Sequence, residues 1–334
     1  MSAYTVLVTD YAWPDLEIER QILAGIDAHL IVAEDGSAEA ITRLAPQADA
    51  ILTCWAQVPP PALDAATRCQ IVSRYGIGLD NIPLQRATEL GILVTNVPDF
   101  CLEEVSDHAM ALLLAAARQI VPQAAASRAG HWQRETGRPI PRLRGQTLGL
   151  VGYGNSAQAL VPKAQGFGLQ IIAYTPRLTP GLLANGVEAV NRLDDLLGRA
   201  DYISIHAPLT DETRGLLDET ALRRMKPNAV LINTSRGAII DEAALLQALT
   251  EGWIAGAALD VLMQEPPPAD HPLLVLPNVI VTPHAAFYSE ASIAELQRKA
   301  AENVVLVLQG RQPEQIVNRK VLEQANCRAQ FSRP

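Results

Sequence analysis

The sequence predicts an α/β protein built from two doubly wound parallel sheets. The first observation is a regular alternation of short β-like runs and helical stretches through the first hundred residues. The second is a repeat of that alternation after an apolar helical segment, residues 102–121. The third is the length of 334 residues, which suits two domains better than one core. Such alternation places a parallel sheet between helices on both of its faces.

The strand assignments follow from short apolar runs that end in turn residues. Five strands are predicted in the first unit, at 4–10, 28–33, 50–54, 70–76 and 92–97. An irregular stretch, 130–145, precedes six more strands, at 147–154, 169–174, 202–208, 229–235, 256–261 and 278–284. Helical spacing separates the strands, and Asp241 and Gly252 are predicted to begin and end one helix. A further helix is predicted at 289–310.

Composition narrows the classes of protein that fit. The net charge of −9 argues against nucleic acid or an anionic membrane surface as a partner. Residues 102–121 contain several charged side chains, so we expect a buried helix and not a membrane span. No secretory signal is visible, and a cytoplasmic location is expected. No metal site is expected, because the cysteines form no paired motif: Cys54, Cys69, Cys101 and Cys327.

The stretch VGYGNSA, residues 151–157, has the pattern of a dinucleotide-binding turn. Gly152 ends a predicted strand and allows a tight turn, and Gly154 allows the backbone to approach a pyrophosphate. Ala157 stands where a third glycine is usual, a position that needs only a small side chain for helix–strand packing. The helix that follows would present its N-terminal N–H groups to the phosphates.

The next strand lacks the acidic residue that an NAD site uses to bind the adenosine ribose. No Asp or Glu occurs between Glu135 and Glu188, and the strand runs into Tyr174-Thr175-Pro176-Arg177. A hydroxyl and a guanidinium suit a 2′-phosphate. The sequence therefore favours NADP, with NAD as the open alternative.

Four side chains follow the predicted strands of the second unit. Arg236 follows the strand at 229–235, Asp260 and Glu265 follow the next, and His284 follows the last. Parallel strands end at one edge of a sheet, which is where such sheets bind ligands. Together an arginine, a carboxylate and a histidine can anchor a substrate carboxylate, orient an imidazole and move a proton.

At this point the chain resembles the D-isomer-specific 2-hydroxyacid dehydrogenase family. The resemblance runs through YGIGLDNI, SDHAMALLLAAAR, VGYGNSA, HAPLTDETRGLL, NTSRGAIIDEAALLQAL, ALDVLMQEPP and TPHAA. The branch it resembles most contains bacterial relatives of the C-terminal-binding proteins and looks like glyoxylate/hydroxypyruvate reductases. The resemblance implies a Rossmann-type cofactor domain, 102–288, inserted into a flavodoxin-like substrate domain, 1–101 plus 289–334. It also implies a homodimer, for which residues 102–121 could supply interface or could be intradomain core.

The resemblance implies a role for each residue of the site. His284 would be the general acid/base, Glu265 would orient it, and Arg236 would bind the substrate carboxylate. The backbone of Gly76, Ile77 and Gly78 would hold the other carboxylate oxygen. Asp260 would bond the nicotinamide carboxamide. His206 would line the cofactor groove, although it could also be only a structural histidine at a strand end. The remaining cofactor-binding positions would be Gly152, Tyr153, Gly154, Asn155, Ser156, Thr175, Arg177, His206, Pro208, Thr213 and Thr234.

The expected substrate is a small 2-keto acid or D-2-hydroxy acid. The positions expected to line its pocket are apolar or aromatic, which disfavours a phosphorylated substrate: Thr53, Cys54, Trp55, Tyr75, Phe287 and Tyr288. The alternative function is a nicotinamide-sensing regulatory protein of the C-terminal-binding-protein type. Such a protein keeps the catalytic residues but recruits partners.

Overall fold

The computed structural model describes residues 3–132 and 139–331. Residues 133–138 of the expected irregular stretch lie outside the described residues, as do the ends of the predicted substrate domain, 1–2 and 332–334. The chain divides into two compact units. Unit 1 is Met1–Phe100 with Ser289–Pro334, and unit 2 is Cys101–Tyr288.

Unit 1 is a five-stranded parallel sheet with the order β2-β1-β3-β4-β5. This is the flavodoxin-like order, and it confirms the predicted fold class. Its strands are β1 Tyr4–Val8, β2 Ala28–Val32, β3 Ala50–Thr53, β4 Ile71–Arg74 and β5 Leu93–Thr95. Its helices are α1 Glu17–Ala24, α2 Ala38–Leu44, α3 Pro60–Ala65 and α4 Leu84–Glu89, and α11 Glu290–Leu308 from the C-terminal part of the chain.

Unit 2 is an eight-stranded sheet with the order β13-β12-β11-β10-β6-β7-β9-β8. Its strands are β6 Thr147–Val151, β7 Gln170–Tyr174, β8 Gly181–Leu182, β9 Glu188–Val190, β10 Tyr202–Ile205, β11 Val230–Asn233, β12 Gly256–Leu259 and β13 Val279–Val281. Its helices are α5 Leu102–Ala117, α6 Ile120–Arg128, α7 Asn155–Gly166, α8 Leu193–Arg199, α9 Glu219–Arg224 and α10 Glu242–Thr250. Asp241 caps α10 as predicted, because its side chain accepts the Ala244 N–H.

Two features of unit 2 differ from the prediction. The sheet is parallel except at one edge, where β8 and β9 form a short antiparallel pair. The segment predicted as one helix, 102–121, breaks at Gln119, whose φ is +51°. A left-handed residue cannot continue a right-handed helix, so α5 ends before it and α6 begins after it.

The apolar helix α5 is part of the core of unit 2. Its buried residues, among them Ala109 and Leu113, pack with the buried residues of the sheet and of α7. No single helix of the described residues is long and apolar enough to cross a membrane, although α5 and α6 together, bent by 61°, meet the limits of length and composition.

Candidate active site

His284 and Glu265 form a hydrogen-bonded pair after β13 and β12. The imidazole Nδ1 lies 2.6 Å from Glu265 Oε2, and the other carboxylate oxygen accepts the Leu262 N–H at 2.9 Å. Burial would raise the pKa of Glu265, but the hydrogen bond from His284, the Leu262 N–H and the charge of Arg236 outweigh it and lower the pKa. The lowered pKa keeps Glu265 a carboxylate, which can accept a hydrogen bond from Nδ1 of His284 and so orient the ring.

Asp260 holds the turn that carries His284. Its carboxylate is 1% exposed and accepts three hydrogen bonds, from the Thr282 hydroxyl at 2.5 Å and from the N–H groups of Ala285 and Ala286 at 2.9 Å. The Asp260 carbonyl accepts the His284 N–H at 2.8 Å. His284 has a φ of +51°, a conformation that costs a non-glycine residue about 1–2 kcal/mol. Hydrogen bonds to a charged group contribute about 1.5–3 kcal/mol each, which is enough to offset that cost.

His108 on α5 extends this network, a contact that the sequence analysis missed. Its Nε2 lies 2.9 Å from Thr282 Oγ1 and 3.4 Å from Asp260 Oδ1. Because the Thr282 hydroxyl donates to Asp260, its oxygen accepts from His108. The motif SDHAMALLLAAAR thus contributes a polar side chain to the site as well as a buried helix.

Arg236 follows β11, the neighbour of β12 in the sheet. Its carbonyl accepts a hydrogen bond from the Asn233 side chain at 2.9 Å, which fixes the backbone where the strand ends. The side chain is half-buried, and its charge contributes to the lowered pKa of Glu265. The structure therefore places Arg236, Glu265 and His284 after three adjacent parallel strands.

The glycine-rich turn has the shape that a pyrophosphate requires. Gly152 has a φ of +93°, and a Cβ on it would lie 2.6 Å from the Ala207 nitrogen. Gly154, in contrast, has open space where a Cβ would stand, and it precedes α7 without a side-chain cap. Ala157 is fully buried under the helix, which explains why a small residue suffices there. Uncapped N–H groups beside open space fit a bound dinucleotide.

The residues predicted around this turn occupy the same edge of the sheet. Asn155 and Ser156 begin α7, and the Tyr153 hydroxyl accepts a hydrogen bond from Asn185 at 2.6 Å. Thr175 and Arg177 follow β7, the strand beside β6, and Arg177 is exposed. Their position is the one where the sequence predicted a ribose or 2′-phosphate contact.

The remaining cofactor positions surround β10 and β11. Burial lowers the pKa of His206 to about 4, and its Nε2 lies 2.8 Å from Ser204 Oγ, so the ring is neutral at physiological pH. The Thr213 hydroxyl donates to the Pro208 carbonyl at 2.6 Å and closes that loop. The Thr234 hydroxyl is buried and has no hydrogen-bond partner within the described part of the chain. An orphaned buried hydroxyl at a strand end fits a bound group.

In unit 1, the predicted substrate turn follows β4. Gly76 has a φ of +138°, and a Cβ there would clash with the Arg74 side chain. The Asn96 side chain donates to the Ile77 carbonyl at 2.7 Å and holds the turn. The N–H groups of Ile77 and Gly78 donate to no acceptor in residues 3–132 and 139–331. Such N–H groups can bind a carboxylate oxygen.

The expected pocket walls need correction. Thr53, Cys54 and Tyr75 are buried, because Thr53 lies in β3 and the Tyr75 hydroxyl bonds the buried Glu19 carboxylate at 2.9 Å. Trp55 is exposed, and the Arg74 guanidinium lies 5.8 Å from its ring centroid. Arg74 therefore adds a cationic group to this turn, and it was not among the residues expected there.

Comparison with known proteins identifies the family. Residues 110–286 match the sequence model of the NAD binding domain of D-isomer specific 2-hydroxyacid dehydrogenases. The chain is 43% identical over 265 residues to a glyoxylate reductase of Korarchaeum cryptofilum, 78% of this chain and 79% of that protein. It is 41% identical over 307 residues to a D-3-phosphoglycerate dehydrogenase of Methanocaldococcus jannaschii, 87% of this chain and 57% of that protein.

A solved structure with a bound cofactor shows the same fold. It is an NADPH-dependent glyoxylate/hydroxypyruvate reductase from Sinorhizobium meliloti in complex with NADP and malonate. The two chains cover each other completely, with 30% identity and a TM-score of 0.85. The chain thus belongs to the D-isomer specific 2-hydroxyacid dehydrogenase family, as the motifs indicated. It is an NAD(P)-dependent enzyme, and unit 2 contains its NAD-binding domain.

Proposed function

We propose that this enzyme reduces a small 2-keto acid to the D-2-hydroxy acid, with His284 as the acid/base, Glu265 as its orienting partner and Arg236 as the carboxylate-binding residue. The observation that carries the proposal is the 2.6 Å contact between His284 Nδ1 and Glu265 Oε2, beside the charge of Arg236. The glyoxylate reductases among its relatives support a substrate of this size.

Arg236 has a binding role in this reaction, and His284 with Glu265 has a role in proton transfer. When bound, the reduced nicotinamide supplies a hydride to the keto carbon. Arg236 binds the substrate carboxylate and draws electron density toward the carbonyl oxygen. His284, held through Nδ1 by Glu265, gives the proton on Nε2 to that oxygen, and the carboxylate stabilises the imidazolium beforehand. In the oxidation direction, the neutral imidazole accepts the hydroxyl proton.

The binding roles of the other residues complete the proposal. Gly152, Gly154 and the first turn of α7 bind the pyrophosphate, and Thr175 with Arg177 binds a 2′-phosphate, so NADPH is preferred. The N–H groups of Ile77 and Gly78, which have no acceptor in the described residues, bind the second carboxylate oxygen. Unit 1 is accordingly the substrate domain and unit 2 the cofactor domain.

The test measures initial rates with NADPH and NADH across glyoxylate, hydroxypyruvate, pyruvate and larger 2-keto acids, with 3-phosphoglycerate in the oxidation direction. His284→Gln and Glu265→Gln should lower kcat by about 10² to 10⁴-fold, the range for general acid–base catalysis. The matched control is His29→Gln, because His29 is exposed on β2. Full activity of the His284 variant would contradict the mechanism. Cofactor binding without turnover of any 2-keto acid would favour the regulatory alternative.

We also propose a homodimer and a cytoplasmic location. The surface that supports the dimer is α6, which has no buried residue within unit 2 and exposes Ile120 and Val121. An exposed apolar helix surface of this kind is typical of an interface. Light scattering of the purified protein would give the mass of the assembly.

A further inference from the structure

The loop between β12 and β13 carries Glu265 and is fixed close to its start. A Cβ on Gly237 would clash with the Leu262 carbonyl group, so the loop packs directly on the backbone that follows Arg236. The next N–H of the loop, that of Met263, donates to Glu242 Oε2 at 3.0 Å. The peptide two residues before Glu265 is therefore held by a side chain from another element.

Glu242 makes a second contact with the same loop. It is the first residue of α10, and its other carboxylate oxygen lies 2.9 Å from His271 Nε2. His271 is 8% exposed and stands further along the same loop, immediately before the 3-10 helix Pro272–Val275. One carboxylate thus joins the start of α10, the Met263 peptide and His271 in the same loop. Because the segment 236–241 runs from Arg236 into α10, Glu242 also links Arg236 to the loop of Glu265.

A first-turn glutamate ordinarily only stabilises its own helix. Glu219 is such a residue, since it follows the capping Asp218 at the start of α9 and pairs with Arg223 on the surface at 2.8 Å. Glu242 follows the capping Asp241 in the same way. Its side chain is 21% exposed, however, and bonds residues of the distant loop. Glu242 and Glu219 occupy the same helix position but make different contacts, which indicates that Glu242 does more than stabilise its helix.

We propose that Glu242 is a positioning residue for the reaction. It fixes the Met263 peptide so that Glu265 keeps its contact with His284, and His271 holds the Glu242 carboxylate in the orientation that this requires. The inference rests on the proposed roles of Glu265 and His284, and Glu242 acts on them through the backbone of the loop.

The experiment compares Glu242→Ala with Glu242→Gln and with the matched control Glu219→Ala. Misplacing a catalytic group by about 1 Å can cost about 100-fold in rate, so Glu242→Ala should lower kcat for 2-keto acid reduction by about 10- to 100-fold. The KM for the reduced cofactor should stay within about twofold, because that site is elsewhere on the sheet edge. Glu242→Gln keeps an acceptor for the Met263 N–H and should recover part of the loss, whereas Glu219→Ala should leave kcat unchanged.

The pH profile separates positioning from a purely structural role. Reduction needs the imidazolium, and a displaced Glu265 stabilises it less. The alkaline side of the pH profile for reduction should therefore move to lower pH in Glu242→Ala. A lower melting temperature with an unmoved pH profile and unchanged kcat would overturn the inference.

Two further variants keep the outcome decisive. If Glu242→Ala does not fold, Glu242→Gln and His271→Gln carry the test, and wild-type kcat and pH profile in both would overturn the inference. Glu265→Gln distinguishes failure of the positioning role of Glu242 from failure of the proposed function. If it is impaired while the Glu242 variants are not, the positioning role fails and the proposed function stands. If Glu265→Gln retains full activity, the proposed function itself fails.

Discussion

Replacement of Arg177 by alanine tests the proposed cofactor preference. Arg177 is exposed, three residues beyond β7, and has no ion-pair or hydrogen-bond partner in the portion of the chain that the structure describes. Its guanidinium can therefore bind a 2′-phosphate without first breaking another contact. A hydrogen bond to a charged group is worth about 1.5–3 kcal/mol, and solvent screening at an exposed site favours the lower value. We expect kcat/KM for NADPH to fall about tenfold, since 1.36 kcal/mol corresponds to a factor of ten.

The assay is the initial rate of reduced-cofactor loss at saturating 2-keto acid, with each cofactor in turn. In Arg177→Ala, kcat/KM for NADH should stay within about twofold, because NADH has no 2′-phosphate to lose. Arg298→Ala removes the same charge from an exposed position of α11 and is the control for net charge. Raising the salt concentration should increase the KM for NADPH of the wild type but not that of Arg177→Ala. A wild type that prefers NADH, or an unchanged NADPH rate in the variant, would refute the reasoning.

Two further predictions concern unit 2. Gly152→Ala should lower the melting temperature and weaken dinucleotide binding, because a Cβ at a φ of +93° would lie 2.6 Å from the Ala207 nitrogen. Gly154→Ala should weaken only dinucleotide binding, because a Cβ there meets open space. Thermal unfolding measures the first effect, and fluorescence titration with the dinucleotide measures the second. Burial lowers the pKa of His206 to about 4, so the unfolded chain binds more protons than the folded chain between pH 4 and about 6.5. The free energy of unfolding should therefore decrease as the pH falls through that range, by about 1–3 kcal/mol, and His206→Gln should remove this part of the pH dependence in urea titrations.

The sequence predicted both sheets because buried parallel strands are short apolar runs that end in turn residues. All five strands of unit 1 and six of the eight strands of unit 2 form where those runs occur. The pair β8 and β9 was missed because β8 has only two residues and β9 begins with a glutamate, so neither forms an apolar run. The break at Gln119 was missed because Gln119 is neither glycine nor proline, and Pro122 indicated an end of the helix only after Val121.

The candidate site was predictable as a set of strand-end residues, since parallel strands bring their carboxyl ends to one edge. Its supporting contacts were not, because they join residues far apart in the chain. His108 reaches Thr282 across 174 positions, and Tyr75 reaches Glu19 across 56. Contacts of this kind depend on which helix face meets which loop, and a single sequence does not specify that.

Burial explains why the two carboxylates that follow β12 do different work. Asp260 is almost fully buried, and the Thr282 hydroxyl and two backbone N–H groups surround its charge, so it shapes the backbone of the His284 turn. Glu265 keeps about a third of its side chain in solvent and directs one oxygen to His284 and the other to the Leu262 N–H. A carboxylate whose oxygens are all occupied by hydrogen-bond donors holds the backbone in a fixed geometry. A carboxylate that is hydrogen-bonded to a histidine, in contrast, interacts with it more strongly when the histidine gains a proton. We therefore expect Asp260 to hold the backbone geometry of the turn, and the pair of Glu265 and His284 to carry the proton transfer of the proposed mechanism.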